Sequence, residues 1–158
     1  MEYASRLCPI ADEDLPPALR YAYMQESTDD RPRRVRLLHF GFQCPVPDNP
    51  SYMEIMWNGV NAVNEAVGRP RTLEIVTALV ARRNTSFVVA AYSNDAPKDP
   101  AFNTPGRIER IGRELRKTFG DGVQGPMWYW DAPEHGPGMH ANKPFDEAYP
   151  EGHPAECW

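Results

Sequence analysis

The sequence has few cysteines, and no two of them lie close together. Cys8, Cys44 and Cys157 form no CxxC motif, and an odd number of separated cysteines is typical of free thiols in a reducing compartment. The chain also lacks the run of about 18 apolar residues that a membrane span needs. Its first residues include Glu2 and no apolar signal segment. We therefore expect a cytoplasmic protein without a membrane partner.

Basic residues are in the minority. The 17 lysines and arginines are outnumbered by 22 aspartates and glutamates, which gives a formal net charge of -5. A nucleic-acid-binding protein would carry a clustered basic surface. The one basic run, residues 31–36, is interrupted by Pro32 and preceded by Asp29 and Asp30, which favours a solvated loop. We expect no nucleic-acid partner.

Apolar residues recur at helical spacing through much of the chain, which predicts an all-α bundle. The length of 158 residues fits one domain. Predicted helices cover residues 12–26, 51–67, 70–94 and 104–119. Residues 35–42 are apolar with little period, so they fit a helix or a short buried strand, and we favour the helix. A strand at 85–92 is the alternative to the second half of the 70–94 helix, but no turn signal separates it from Glu74.

The composition changes after Phe119. The segment from Gly120 onward is rich in glycine, proline and aromatic residues, namely Trp128, Tyr129, Trp130, Phe145, Tyr149 and Trp158. So many aromatic residues are not typical of a disordered tail. We predict a helical domain over residues 1–119 and an ordered C-terminal extension over 120–158, packed on the domain or on a neighbouring subunit.

One segment is similar to a known motif. Residues 84–93 read Asn-Thr-Ser-Phe-Val-Val-Ala-Ala-Tyr-Ser, and Glu74 precedes them. This resembles the active helix of the carboxymuconolactone decarboxylase and AhpD-like family, whose pattern is Asn, Cys, any, Tyr, Cys, Val or Leu, Ala, Ala, His, Ser or Thr. Residues 5–25, with Arg-Leu before an acidic Leu-Pro-Pro-Ala-Leu-Arg start, resemble the family's opening. The likeness covers 5–25 and 50–96, and it implies an all-α AhpD-like bundle.

The chain departs from that motif at its reactive positions. Thr85 and Val88 stand where the family has cysteines, and Tyr92 stands where it has histidine. The interval from Glu74 to Thr85 is one residue short, so a shifted register would place Ser86, Val89 and Ser93 there instead. Threonine and valine cannot supply the attacking and resolving thiols of a peroxidase, so we expect no dithiol peroxidase activity.

The resemblance implies a site built around the motif. Candidate catalytic residues are Glu74, Tyr92 and His39, and candidate substrate-binding residues are Trp57, Arg83, Thr85, Phe87 and Val88. Each has a structural alternative: Glu74 also fits a helix-start acid or an arginine partner, Tyr92 a core ring, and His39 a hydrogen-bonded core residue. On a straight helix Glu74 and Tyr92 would be about 27 Å apart, so they can cooperate only if the helix breaks near Asn84.

These residues indicate an enzyme that uses acid–base chemistry and carries out no oxidation or reduction. We expect a lyase, isomerase or cyclase acting on a small organic acid or lactone-like metabolite, in a biosynthetic or aromatic-degradation pathway, with no cofactor. The alternative is an inactive relative that binds a small ligand or a partner protein. We expect a homo-oligomer, a trimer or hexamer. The spacing of His135, His140 and His153 does not fit a metal site, and we expect none.

Overall fold

Two helices and four strands make up the part of the chain that the structure describes. This computed structural model describes residues 9–16, 19–20, 38–68, 73–78, 85–94 and 105–131. In chain order the elements are β1 (Leu38–Pro45), α1 (Tyr52–Ala66), β2 (Glu74–Val76), β3 (Ser86–Ser93), α2 (Arg107–Phe119) and β4 (Gln124–Trp130). A short 3₁₀ turn, Asp12–Asp14, precedes them.

The strands form one sheet in the order β2-β3-β1-β4. Every neighbouring pair is antiparallel. A β-α-β-β-α-β order with β1 and β3 in the centre is the ferredoxin-like, split βαβ arrangement. Many unrelated activities occur on such a common fold, so the fold by itself assigns no function.

Both helices lie on one face of the sheet, where they bury the main hydrophobic core. The amphipathic stripe of α1 contributes Val60 and Val63, and that of α2 contributes Ile111 and Leu115. The sheet contributes alternate residues of its central strands to the same core, including Phe42, Cys44, Phe87 and Val89. Alternation places the intervening residues on the opposite face, which we call the second face.

The N-terminal segment extends this core beyond the helices. Leu15 and Leu19 are buried with Leu38 and Phe40 of β1 and with Trp128 and Trp130 of β4. Ile10 exchanges both backbone hydrogen bonds with Trp128, at 2.9 and 2.8 Å. The indole N–H of Trp128 donates to Asp12 Oδ1 at 2.9 Å. The segment therefore protects part of the outer edge of β4 from further strand pairing.

The predicted all-α fold is wrong. Residues 38–45 form a strand, and the predicted helix 70–94 is replaced by β2 and β3. The strand alternative weighed for residues 85–92 is the correct one. Strands buried on both faces are apolar almost continuously, so their periodicity cannot be told from that of a buried helix. The predicted helices at 51–67 and 104–119 match α1 and α2 closely.

The chain reverses its direction between β2 and β3, because these strands pair antiparallel. Asn84 itself and most of the predicted helix 12–26 lie outside the described residues. Of the aromatic residues on which the ordered extension was predicted, Trp128, Tyr129 and Trp130 are in β4, which pairs with β1, and the others lie outside the described residues. Among the described helices, neither has the length and apolar content needed to cross a membrane.

Candidate functional site: a histidine–aspartate pair on the second face

His39 and Asp131 form an ion pair or charge-assisted hydrogen bond on the second face. His39 Nε2 lies 2.8 Å from Asp131 Oδ1, and their side chains are 11% and 15% exposed. The sheet register places them together: His39 is opposite Tyr129 in the β1–β4 ladder, and Asp131 follows two residues later, so its side chain points to the same face. Asp131 also forms an isolated bridge with Ala78. The two side chains are thus held by strands that are distant in sequence.

The residues beside His39 on neighbouring strands are polar. Ser93 of β3 is its register partner on one side and Tyr129 of β4 on the other. Tyr129 is buried, and burial raises the pKa of its phenol, although the hydrogen bond that its oxygen accepts from the backbone N–H of Gln43 acts in the opposite direction. Tyr129 is therefore a neutral phenol throughout the physiological range.

The hydrogen bond between His39 and Asp131 determines what the imidazole can do. A carboxylate beside Nε2 favours the tautomer with its proton on that nitrogen, which leaves the lone pair on Nδ1. We find no hydrogen-bond partner for Nδ1 within the described ranges. The arrangement has the geometry of a base oriented by an acid: the carboxylate fixes the ring and stabilises the imidazolium that forms when Nδ1 takes a proton.

Glu74 and Tyr92 do not join His39. Glu74 is exposed on β2, an edge strand. Tyr92 lies on the helix-facing side, where its ring centroid is 4.9 Å from that of Phe40 and 5.6 Å from that of Trp128. The register shifts by one residue between Phe40 and Gly41, and such a shift moves the following side chain to the other face. Burial raises the pKa of Tyr92, and the negative charge of Asp12 raises it further.

The predicted substrate-binding residues are dispersed. Trp57 is half exposed on α1, Phe87 packs edge-on against Phe119 in the core at 5.2 Å, and Val88 is buried on the second face. Arg83 lies outside the described residues. Thr85 lines a cavity. The four members that the structure describes, Trp57, Thr85, Phe87 and Val88, therefore lie in different parts of the fold.

That cavity is an open cleft of about 660 Å³ at the other end of the sheet. It is lined by Pro9, Gln43, Pro45, Val46, Thr85, Ser86, Gly122 and Gln124, none of which is charged. Gln43 is four residues from His39 along β1, which corresponds to about 13 Å. The cleft and the His39–Asp131 pair are thus separate features.

The thiol of Cys44 is buried in the core, and burial raises its pKa to about 12. A thiol that stays protonated is a poor nucleophile, so Cys44 is not suited to attack a peroxide. Cys8, His135, His140 and His153 lie outside the described residues. Within the described ranges, no group of three or more His, Cys, Asp or Glu side chains could hold a metal ion.

Sequence reasoning identified His39 but missed its partner. Asp131 is 92 residues away, in the predicted C-terminal extension. The one local signal was the run of aromatic residues Trp128, Tyr129 and Trp130 after a Gly-Pro pair, because aromatic residues are enriched in strands. No protein-family model, no curated protein and no solved structure matches this chain.

Proposed function

We propose that this protein is a non-redox enzyme in which His39, positioned by Asp131, is a general base acting on a small organic acid or lactone-like metabolite. The observation that carries the proposal is the 2.8 Å contact between His39 Nε2 and Asp131 Oδ1 on a largely buried face. A histidine held in one tautomer, with its other nitrogen available, is a common means of proton transfer in enzymes.

The reaction class follows from what one oriented base can do. Nδ1 of His39 removes a proton from carbon next to a carbonyl group, and Asp131 stabilises the positive charge that the ring gains. Returning the proton to another carbon gives an isomerase, attack of the resulting carbanion on an electrophilic carbon of the same molecule gives a cyclase, and loss of a leaving group gives a lyase. Both side chains are mostly shielded from water. In such a site the attraction between the imidazolium and the carboxylate is stronger than it would be at a surface.

The sequence likeness to carboxymuconolactone decarboxylases agrees with this chemistry, but the proposal does not depend on it, because that family's all-α fold is not the fold of this chain. Glu74 has no part in the proposal, since it is exposed on an edge strand. We also propose that the protein acts on a small molecule in the reducing environment of the cytoplasm. The free thiol of Cys44 is in keeping with that setting.

Proton abstraction can be measured without knowing the product. The protein is incubated in D₂O with a panel of small 2-oxo acids, 3-oxo acids and lactones, and deuterium incorporation next to the carbonyl is followed by proton NMR. We expect wild-type protein to exchange at least one member of the panel. His39→Gln should slow that exchange by about 10²- to 10⁴-fold, and Asp131→Asn should slow it less.

Glu74→Gln is the matched control, because it makes the same carboxyl-to-amide change as Asp131→Asn at an exposed position. It should leave the exchange rate within about twofold of wild type, because an exposed edge residue makes no contact with the reacting proton. No exchange by wild-type protein with any compound would count against the proposal. A loss of exchange in Glu74→Gln but not in His39→Gln would restore Glu74 as the acid–base group and overturn the role of His39.

The cleft supports a second candidate function, the binding of a small uncharged ligand by a catalytically inactive protein. Its volume of about 660 Å³ lies in the range of small-molecule sites, and two amides and two hydroxyls line it. A ligand bound there would shift the amide resonances of Thr85 and Ser86 in a two-dimensional NMR titration. Binding at the cleft together with no deuterium exchange would favour this function over the enzyme.

A further inference from the structure

Ser93 lies beside His39 in the closest kind of pair that an antiparallel sheet offers. The two residues are directly opposite each other in the β1–β3 ladder. In the next pair, the backbone N–H of Asn94 donates to the carbonyl oxygen of Leu38 at 3.1 Å. Hydrogen-bonded and non-hydrogen-bonded pairs alternate along such a ladder, so His39 and Ser93 form a non-hydrogen-bonded pair, in which the Cα atoms are only about 4.5 Å apart.

The side chains of His39 and Ser93 share the second face of the sheet. Directly opposite residues point to the same side, and the next pair, Phe40 and Tyr92, points to the helices, where their ring centroids are 4.9 Å apart. The Cβ atoms of opposite residues are about 4.5–5.5 Å apart, with the shorter values in non-hydrogen-bonded pairs. Rotation about χ1 can therefore bring the Ser93 hydroxyl within hydrogen-bond reach of the imidazole.

The backbone on both sides of Ser93 is fixed to β1. Asn94 is 2% exposed, and its Oδ1 accepts the N–H of Leu38 at 2.8 Å, in addition to the backbone bond between the same two residues. Tyr92 is held on the other side by its contact with Phe40. A reacting group needs this kind of support, because small displacements from the productive geometry lower the rate strongly.

The three polar side chains at this end of the sheet have the order of groups that activates a hydroxyl. The carboxylate of Asp131 binds Nε2 of His39, so Nδ1 is the nitrogen that can accept the Ser93 proton. His39 is buried, whereas Ser93 is half-buried and can be reached by a small molecule. Such groups are recognised by geometry and role, in whatever order they occur along the chain.

We infer that Ser93 is a nucleophile that His39 and Asp131 activate for the hydrolysis of small carboxylic esters and lactones. The inference rests on the oriented histidine of the proposed function, but not on the removal of a proton from carbon. It adds a covalent reaction to the same face of the sheet.

The hydrolysis proceeds in two steps. The Ser93 hydroxyl gives its proton to Nδ1 of His39 while Oγ bonds to the acyl carbon. The C–O bond to the leaving oxygen then breaks, and that oxygen takes the proton from Nδ1. In the second step water gives a proton to Nδ1, its oxygen attacks the acyl carbon, and Oγ of Ser93 leaves with that proton. An ester gives an acid and an alcohol, a lactone gives a hydroxy acid, and water is the only co-reactant.

A phosphonofluoridate tests the inference, because it phosphonylates activated serines and requires no knowledge of the natural substrate. We expect one phosphonyl group per chain, located on Ser93 by peptide mass spectrometry. Ser93→Ala should remove the label. His39→Gln should lower the second-order rate constant of labelling by at least about 10²-fold, and Asp131→Asn should lower it by a smaller factor.

Ser51→Ala is the matched control. It removes the same hydroxyl from an exposed serine at the start of α1, where that hydroxyl makes no capping hydrogen bond. Its labelling should proceed at the wild-type rate. Circular dichroism establishes whether His39→Gln keeps the wild-type fold. If it does not, the wild-type pH profile replaces that variant: labelling should accelerate as an imidazole loses its proton, and a rate independent of pH between about 5 and 8 would contradict the inference.

The outcomes separate this inference from the proposed function. Wild-type protein that carries no label on Ser93, or a folded His39→Gln variant that is labelled as fast as wild type, would overturn the inference. Deuterium exchange without labelling of Ser93 would remove the inference alone and leave the proposed function standing. Labelling of Ser93 that depends on His39, in a protein that exchanges no deuterium, would support the inference and count against proton removal from carbon.

Discussion

The side chain of Asn64 satisfies both backbone polar groups of Leu73. Its Oδ1 accepts the N–H of Leu73 at 2.9 Å, and its Nδ2 donates to the carbonyl oxygen of the same residue at 3.2 Å. Both residues are 3% exposed. Asn64 belongs to α1, and Leu73 directly precedes β2. One amide therefore fixes the start of an edge strand to the helical layer, in the way a neighbouring strand would.

Replacing Asn64 should destabilise the fold without disturbing its surface. Asn64→Ala leaves a buried N–H and a buried carbonyl of Leu73 without partners, and each such group costs about 1–3 kcal/mol. We expect the free energy of unfolding, measured by urea titration, to fall by about 2–4 kcal/mol. Asn61→Ala, at an exposed position of the same helix, should change it by less than about 0.5 kcal/mol. Equal effects for the two variants would contradict the role of Asn64.

Gly41 should tolerate no side chain. A Cβ at this position would lie 2.0 Å from the carbonyl oxygen of Val89 and 2.8 Å from Cα of Ala90, both in the backbone of the central strand β3. Because those atoms are held by strand pairing, they cannot move aside locally. We expect Gly41→Ala to abolish soluble folded protein, as judged by expression and circular dichroism.

Gly122→Ala is the control for this prediction. Its added Cβ would meet the ring of Pro45, with Cγ at 3.6 Å and Cδ at 3.9 Å, which are ordinary contacts, so the variant should fold with nearly wild-type stability. A folded, stable Gly41→Ala protein would show that the approach of β1 to β3 is wider than the structure gives.

Cys44 should be unreactive in the folded protein. Burial raises its pKa to about 12, whereas an exposed thiol in the unfolded chain ionises near about 8.5–9. Ionisation therefore favours the unfolded state as the pH rises between these values, so Cys44 makes stability fall there by up to about 1.4 kcal/mol per pH unit. Below about pH 8 both states hold the proton, and the contribution is absent.

Two measurements follow for Cys44. In a protein with Cys8 and Cys157 replaced by serine, a thiol reagent should modify Cys44 only after denaturant is added. Cys44→Ala should flatten the decline of stability between pH 9 and 10, below the range in which the buried tyrosines contribute. Rapid modification of the native thiol at neutral pH would show that the site opens.

Residues 1–119 should not fold without the segment that follows. Truncation after Phe119 removes β4, which pairs with β1 along most of its length and supplies the buried Trp128, Tyr129 and Trp130. We expect the truncated chain to lack the cooperative thermal transition of the full chain in circular dichroism. A cooperative transition in the truncated chain would instead support residues 1–119 as an independent domain.

The sequence patterns predicted the helices better than the sheet, for a physical reason. Helices α1 and α2 lie on the surface, so one side of each is polar and the period of 3.6 residues is visible. Strand β3 is covered on both faces, and its run Phe87–Ala91 is apolar without interruption, which removes the period of two that would identify it. The family resemblance of residues 84–93 then gave the same segment a helical interpretation.

The candidate site was predictable only in part. The sequence predicts His39 as a candidate catalytic residue because it is a titratable side chain in an apolar segment, which is a local signal. Its pairing with Asp131 depends on the register between β1 and β4, and no local pattern encodes a contact across 92 residues. Glu74 and Tyr92 failed to converge because the register shift at Phe40 and Gly41 turns Tyr92 toward the helices. Such a shift cannot be read from side-chain type.

The central position of β1 has a consequence for the order of events during synthesis. This strand emerges early, but one of its two neighbours, β4, lies about 80 residues further along the chain. At about 5–20 residues per second, the ribosome needs several seconds to deliver it, and pairings between such distant segments form slowly. Until then the edge of β1 is open and His39 has no carboxylate. The proposed catalytic pair is completed only with the last described strand, so no partly synthesised chain that stops before Asp131 carries it.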